Sequence, residues 1–404
     1  MNAGHANHLP IKVSTSIAVG VTLALNGFAS STWISRIPAT RDRLVAEPAT
    51  LGLMLLMTGI GAISFMPLAG RLATKYGSRP VLIGSTLLAA PLMILAAVTP
   101  TPVTTGMAMF ALGACLGAAD VVINVQGSFI DRVLDRDYMP RYHVGWSLGA
   151  ITGATLGAIA SRFEWPLWQH FALAGVIAAA GTTYCAVKWY VDDREPVHDS
   201  TSETEKPKTL LRDRRILIIG IIVLAAVFLE GSAGDWLALF LHDVRGTTQS
   251  FAAIGYATFA LAMTLVRAAG TPVIARWGRV RVIRVAGFLA FIGVVLVLTV
   301  PVTAAALIGI LLWGIGTGLV YPAGMSAAGE TPGRSAQAIA LVSLIGYSGF
   351  LIGPPIIGLI AQHTGLQSAL WVVAPGAIAI AVLAPVVAHL VTTAHEPLPE
   401  TKPN

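Results

Sequence analysis

Charge is what this sequence has least of. Of its 404 residues only 11% are Asp, Glu, Lys or Arg, while 55% are hydrophobic; an average soluble protein carries roughly 25% charge. So few charges exclude an ordinary soluble domain of this length, and disorder needs the reverse composition, low hydrophobicity with high net charge. Cysteine is nearly absent as well. Cys115 and Cys185 are the only two and both lie inside long apolar stretches, which excludes a disulfide framework or a cysteine metal site and leaves them as small core residues. Neither a Gly-x-x-x-x-Gly-Lys-Ser/Thr nucleotide loop nor an H-E-x-x-H metal helix occurs, so no metal or cofactor is implied and ATP is not the expected energy source.

What the chain has instead is apolar length. A bilayer core needs about 20 mainly apolar residues per helical span, and windows of that kind are centred near residues 23, 61, 90, 115, 152, 177, 228, 261, 291, 315, 348 and 380. The expected fold is an all-α membrane protein of 12 transmembrane helices. The first window, with Lys12 before it and Gly27 to Ser31 at its end, has some features of a secretory signal, but eleven further spans make an uncleaved helix the simpler reading. Residues 191–214 break the pattern of short joints, being polar, charged of both signs and poor in apolar residues, as in a flexible solvated linker. The predicted division is a tail over 1–12, a six-helix bundle over 13–190, the linker over 191–214, a second six-helix bundle over 215–391 and a tail over 392–404.

Cytoplasmic loops retain Lys and Arg. Placing both termini in the cytoplasm puts 20 of the 26 basic residues inside and five outside, with Arg267 left within a span. The formal net charge of +6 is thus read as an orientation signal in the cell membrane. The basic residues sit in short clusters between apolar runs, so no nucleic-acid partner is expected, nor any obligate protein partner.

The halves repeat one another at offsets close to 200 residues. Gly70-Arg71 and Gly77-Ser78-Arg79 after span 2 answer to Gly270 and Arg276-Trp277-Gly278-Arg279 after span 8; Gly149 and Gly153 answer to Gly349 and Gly353; Asn26-Gly27 followed by Trp33 answers to Glu230-Gly231 followed by Trp236. On these residues the chain resembles the major facilitator superfamily, MFS, over its whole length apart from the tails. The stretch Gly70 to Arg79 is similar to that family's signature G-x-L-a-D-r-x-G-r-r/k, with Thr74 where the family has Asp, and Gly270 to Arg281 to its weaker second copy. The resemblance implies two pseudo-symmetric six-helix bundles, a central site between them, alternating access, and conformational roles for the two loop motifs. The Glu-Gly-x-x-x-Asp-Trp stretch of span 7 and Gly346 to Pro355 of span 11 further resemble bacterial permeases allied to fucose:proton symporters.

An ionisable group in hydrocarbon costs at least about 2.5 kcal/mol on insertion scales, so each one needs a reason. Asp120 lies in span 4, Glu230 and Asp235 in span 7. Gly113, Gly117, Asp120, Asn124 and Gly127 recur every three or four residues and align on one helix side. That stripe reads either as glycine packing with Asp120 and Asn124 tying helices together or as the wall of a wet central cavity, and the carboxylate favours the cavity. Glu230 falls midway along its span. Asp235, five positions on, is rotated by about 140° in a regular helix, so the two acids are expected to do different jobs. Glu230 is predicted to face the cavity and exchange a proton, since burial favours the neutral form of a carboxylic acid. Asp235 reads as part of an outer gate, an interfacial ion pair or a solvated helix-end acid.

Asn26, Ser30 and Trp33 share one side of span 1 and offer an amide, a hydroxyl and an aromatic plate. Trp33 and Trp236 either line the pocket, which favours a sugar, or belong to an interfacial belt. His143 and Trp146 open span 5 as gate or switch candidates, together with Tyr321 and Tyr347; a lone His at a membrane boundary is more often solvated or capping. Arg267 either snorkels to the cytoplasmic face or latches onto a carboxylate such as Glu330.

The expected function is secondary active transport of a small polar solute, a sugar or related metabolite, by alternating access with proton coupling. The alternative is a proton-coupled efflux antiporter for drugs or metabolites. Span 5 keeps glycines at Gly149, Gly153 and Gly157 but lacks the proline of the Gly-Pro-x-x-Gly-Gly run usual in drug-exchanging family members. An intramembrane enzyme and a non-transporting sensor are distant alternatives: an aspartyl membrane protease needs a Tyr-Asp partner in a second span, and none is present.

Overall fold

The computed structural model describes residues 13–134, 139–191, 193, 210, 212–331 and 335–388. The two tails and most of the 191–214 linker lie outside the described residues. Twelve helices are long and apolar enough to cross a bilayer: α1 Ser14–Ile34, α2 Pro48–Tyr76, α3 Ser78–Val98, α4 Pro102–Ile130, α5 Arg141–Arg162, α6 Leu167–Trp189, α7 Arg214–Asp243, α8 Gln249–Ala268, α9 Arg279–Thr299, α10 Ala304–Gly329, α11 Leu341–Thr364 and α12 Leu366–Val387. Backbone polar groups in lipid must be satisfied within the chain, which is why apolar runs of this length become helices. Large apolar side chains such as Leu88, Val176 and Leu265 stand exposed along them, the face such helices turn to lipid.

The packing of the first six helices is repeated by the second six. In the first bundle α1 packs on α5 and α6, α2 on α4, and α3 on α4 and α6; in the second α7 packs on α11 and α12, α8 on α10, and α9 on α10 and α12. The bundles meet through α2 on α11 and α5 on α8, two contacts that interchange under the same shift of six. This is the MFS fold, two pseudo-symmetric six-helix bundles.

Glycine sets how closely α1 and α5 approach. A Cβ on Gly149 would fall 1.8 Å from the Ala24 carbonyl oxygen, and one on Gly153 2.4 Å from that of Phe28, so the two backbones touch directly. The same device joins α4 to α2: Cβ atoms on Gly113 and Gly117 would fall 2.0 Å from the Thr58 carbonyl oxygen and 2.8 Å from the Ala62 Cα. The stripe on α4 is therefore not a single cavity wall. Its glycines serve packing inside the first bundle.

The loop motifs end helices. Gly77, at φ 84°, caps α2 through its N–H to the Ala73 oxygen at 2.7 Å, and Gly278, at φ 77°, caps the short helix Gly270–Trp277 that continues α8. Only glycine takes such a φ without strain. In the first motif Arg71 and Arg79 are exposed, Thr74 donates back to the Gly70 carbonyl at 3.0 Å, and the Ser78 N–H is taken by Asp193 from beyond α6 at 2.9 Å. In the second, Arg276 is exposed but Arg279 is buried and donates to Glu330 at 2.7 Å and to the Val387 carbonyl at 3.2 Å.

Candidate functional site between the bundles

The acid at the middle of α7 has a cationic partner. Arg267 Nη2 donates to Glu230 Oε2 at 3.1 Å, and Arg267 Nε donates to the Gly318 carbonyl at 3.1 Å. The second bond exists because α10 is interrupted: its helix stops at Gly318 and resumes at Val320, and a carbonyl at a helix end is open to another donor. The two side chains are 26% and 23% exposed. Of the two sequence readings of Arg267, snorkelling is corrected, while the latch onto a carboxylate is present with Glu230 in place of Glu330. Arg267 lies in the last turn before the break at Ala269, but a second helix, Gly270–Trp277, carries the rod onward, and the guanidinium is held by Glu230 and Gly318 rather than snorkelling; Glu330 is held instead by Arg279, with Arg215 at 4.0 Å.

The pair borders a small, partly open cavity between α5, α7 and α8, lined by Trp146, Ser147, Tyr256, Phe259 and Met263 as well as by the two charges. His143, one turn before Ser147 and exposed, is within electrostatic reach of Arg267. On α11, Phe350 packs against Gly231, where a Cβ would lie 3.0 Å from the ring. Tyr347 stacks on Phe350 with centroids 6.4 Å apart and sits 6.5 Å from the Tyr321 ring of α10. Tyr347 is also in electrostatic reach of both Asp120 and Glu230. Residues from α4, α5, α7, α8, α10 and α11 thus converge at mid-height.

Asp235 lies in a π-helical turn, Ala233–Leu237. A turn closed by i→i+5 bonds holds more residues than an α turn, so the 140° separation expected for a regular helix does not apply. Tyr256 is in electrostatic reach of Glu230 and Asp235 alike, and the two acids belong to one neighbourhood. Trp236, beside it, is wholly buried, and Trp33 is 6% exposed and packs on Phe171 with centroids 5.8 Å apart. Neither tryptophan lines the cavity or forms an interfacial belt; large aromatics at tightly packed helix crossings fill the core. The stacking argument for a sugar falls with them.

Three polar candidates also turn elsewhere. Asn26 lines a separate cavity inside the first bundle with Thr22, Cys115 and Thr182, Ser30 donates to the Asn26 carbonyl at 3.0 Å, and the Asn124 amide serves Asp120, donating to its carbonyl at 2.8 Å and bonding its side chain. Tyr256, Phe259 and Met263 were not singled out in the sequence, although with Arg267 they recur at helical spacing and so share its face. Gly145-Trp146-Ser147-Leu148-Gly149 has the spacing of a nucleophile elbow, but it runs within a continuous helix rather than a strand-to-helix turn. The Ser147 hydroxyl donates to the His143 carbonyl.

One end of the molecule, where α1 finishes, is tied across the bundles. Arg41 pairs with Asp243, His242 lies 3.5 Å from Asp42, Gln249 donates to Asp42 at 3.2 Å and Ser250 to the Ala158 carbonyl at 2.9 Å, while Gln362 donates to Glu47.

Two repeated bundles meeting at a shared cavity that holds an ion pair have the architecture of a membrane transporter. Residues 19–338 match the family described as Major Facilitator Superfamily. The chain is 34% identical to the uncharacterized transporter y4wD of Sinorhizobium fredii, over 91% of this chain and 97% of that one, and 32% identical to an uncharacterized MFS-type transporter of Yersinia pestis, over 90% and 93%. Its fold is similar to that of the nucleoside transporter NupG, with a TM-score of 0.74 at 15% identity, covering 92% of this chain and 98% of that one. The chain belongs to the Major Facilitator Superfamily.

Proposed function

We propose that this transporter is a secondary active one, moving a small polar solute by alternating access with protons as the coupling ion, and that Glu230 carries the proton. The observation behind the reading is the Glu230–Arg267 pair: a carboxylate at mid-span, about three-quarters buried, held by one hydrogen bond beside a cavity that both bundles line. A carboxylate whose counter-ion can be drawn away inside a low-dielectric cavity gains and loses a proton readily. The ties at the Arg41–Asp243 end are the natural gate for such a cycle. With the termini in the cytoplasm, as the basic residues predict, that gate is extracellular and the 191–214 linker joins the bundles on the inner side.

The test begins with a thermal-shift screen of the purified chain against sugars, organic acids and nucleosides, since a ligand of the folded state raises its stability. Flux of the stabilising solute is then followed in proteoliposomes under an imposed pH gradient. Gradient-driven accumulation that is lost in Glu230→Gln is the expected result. Flux indifferent to the gradient in the wild type would overturn proton coupling, and full coupling in Glu230→Gln would overturn the role given to Glu230.

A further inference from the structure

We propose that the solute is a monovalent carboxylate with a flat apolar body, and that it takes Arg267 in exchange for Glu230, so that each bound anion places one proton on Glu230. This rests on reading the cavity between α5, α7 and α8 as the solute site.

The donors of Arg267 carry the argument. A guanidinium offers five N–H donors in a planar fork suited to bidentate carboxylate binding. Here Nε serves the Gly318 carbonyl and Nη2 meets one oxygen of Glu230; among the described residues no acceptor is shown for the remaining donors. The resident acid therefore holds Arg267 at a single point, and a better-placed carboxylate can displace it.

Charge then fixes the valence. Arg267 is the cation of the cavity lining, Glu230 is its acid, and Asp235 and Asp120 stand in electrostatic reach of the neighbouring Tyr256 and Tyr347. A dianion would add a charge that nothing in the lining balances, whereas a monoanion replaces Glu230 one for one. The walls fix the shape: the aromatic rings of Trp146, Tyr256 and Phe259 in the lining favour a planar or arene body over a freely hydrated one.

Coupling follows from the same geometry. Once the anion holds Arg267, Glu230 faces Tyr256 and Tyr347 without a counter-ion, and a carboxylate in that position takes a proton from cavity water. His143 is the other titratable group facing Arg267. The cavity lining carries one positive and one negative charge before binding, and the same after it, with Glu230 neutral. Anion and proton therefore occupy the site as an uncharged pair.

Benzoate, and benzamide as its uncharged match, are titrated into the purified full chain in weakly buffered detergent near neutral pH, with binding and proton uptake read together. The expected result is benzoate binding with about one proton taken up per anion, and no binding of benzamide. Arg267→Gln should weaken benzoate binding at least about tenfold, and Glu230→Gln should bind it more tightly without proton uptake. The double variant Glu230→Gln/Arg267→Gln leaves no unpaired charge and controls for folding; it should bind neither probe. Equal binding of benzamide, absence of benzoate binding, binding without proton uptake, or wild-type affinity in the double variant would each overturn the proposal. The two readings fail separately. Gradient-driven flux of an uncharged solute with no benzoate binding would leave proton-coupled transport standing and remove the carboxylate, while benzoate binding with proton uptake but no response of flux to a pH gradient would do the opposite.

Discussion

The two bundles share one helix packing pattern but not one regularity. In the first, the helices α1, α2 and α4 are each unbroken, running as Val13–Ile34, Pro48–Tyr76 and Pro102–Leu134. Their counterparts in the second are all interrupted: α7 by the π turn at Ala233–Leu237, α8 at Ala269 before its continuation, and α10 at Leu319. The close contacts differ in the same sense. Gly149 and Gly153 set backbone on backbone, whereas Cβ atoms on Gly349 and Gly353 would lie 3.2 Å from the Leu224 oxygen and 3.3 Å from the Phe228 ring. The pseudo-symmetry breaks where the chemistry sits, because a helix interruption supplies what a regular helix cannot: a free carbonyl for Arg267 and a shifted register for Asp235.

The comparison can be broken most forcefully at the glycines. Gly149→Ala drives a methyl into the Ala24 backbone, where neither side can yield, and should destabilise the protein by about 3 kcal/mol or more, enough to prevent recovery of monodisperse material; Gly349→Ala, facing a looser gap, should lose about 1 kcal/mol or less. Thermal unfolding in detergent measures both. Equal effects would remove the distinction between a rigid first bundle and an irregular second one.

A smaller effect is expected at the ion pair. Glu230→Gln or Arg267→Gln alone should reduce stability by about 1–3 kcal/mol, the range for hydrogen bonds to charged groups, and the double substitution should recover most of the loss because no lone charge remains. A double-mutant cycle with no coupling would show that the pair is incidental to the second bundle.

The smallest lies at the cross-bundle ties. Arg41 and Asp243 are each 25% exposed, so Asp243→Asn should alter stability by less than about 1 kcal/mol. It should nonetheless raise labelling of a cysteine placed at Gly234, where a Cβ would lie 3.9 Å from Ile34 across the bundles, since the closed state loses one of its ties. Unchanged labelling would assign the gate to the remaining contacts.

Much of the fold was legible because hydropathy alone marks a helix that must span a bilayer, and the centre of each predicted window falls within one of the twelve helices. Glu230 was legible for a related reason: a carboxylate amid Val227, Phe228 and Leu229 has no bland explanation. Its partner was not. The depth of Arg267 was judged from Gly270, read as the start of a loop, whereas the helix carries on to Trp277. The π turn was invisible as well, since reading faces from spacing assumes 3.6 residues per turn throughout. Trp33 and Trp236 misled because an aromatic in the outer part of a span looks alike in sequence whether it meets lipid headgroups or a neighbouring helix such as that of Phe171.

Infrared difference spectroscopy on solute binding tests most directly whether Glu230 is the group that changes protonation. The account predicts a protonated-carboxyl band that appears when solute is added to the wild type and is missing in Glu230→Gln. The same band persisting in Glu230→Gln, or no band in the wild type under conditions where solute binds, would contradict it.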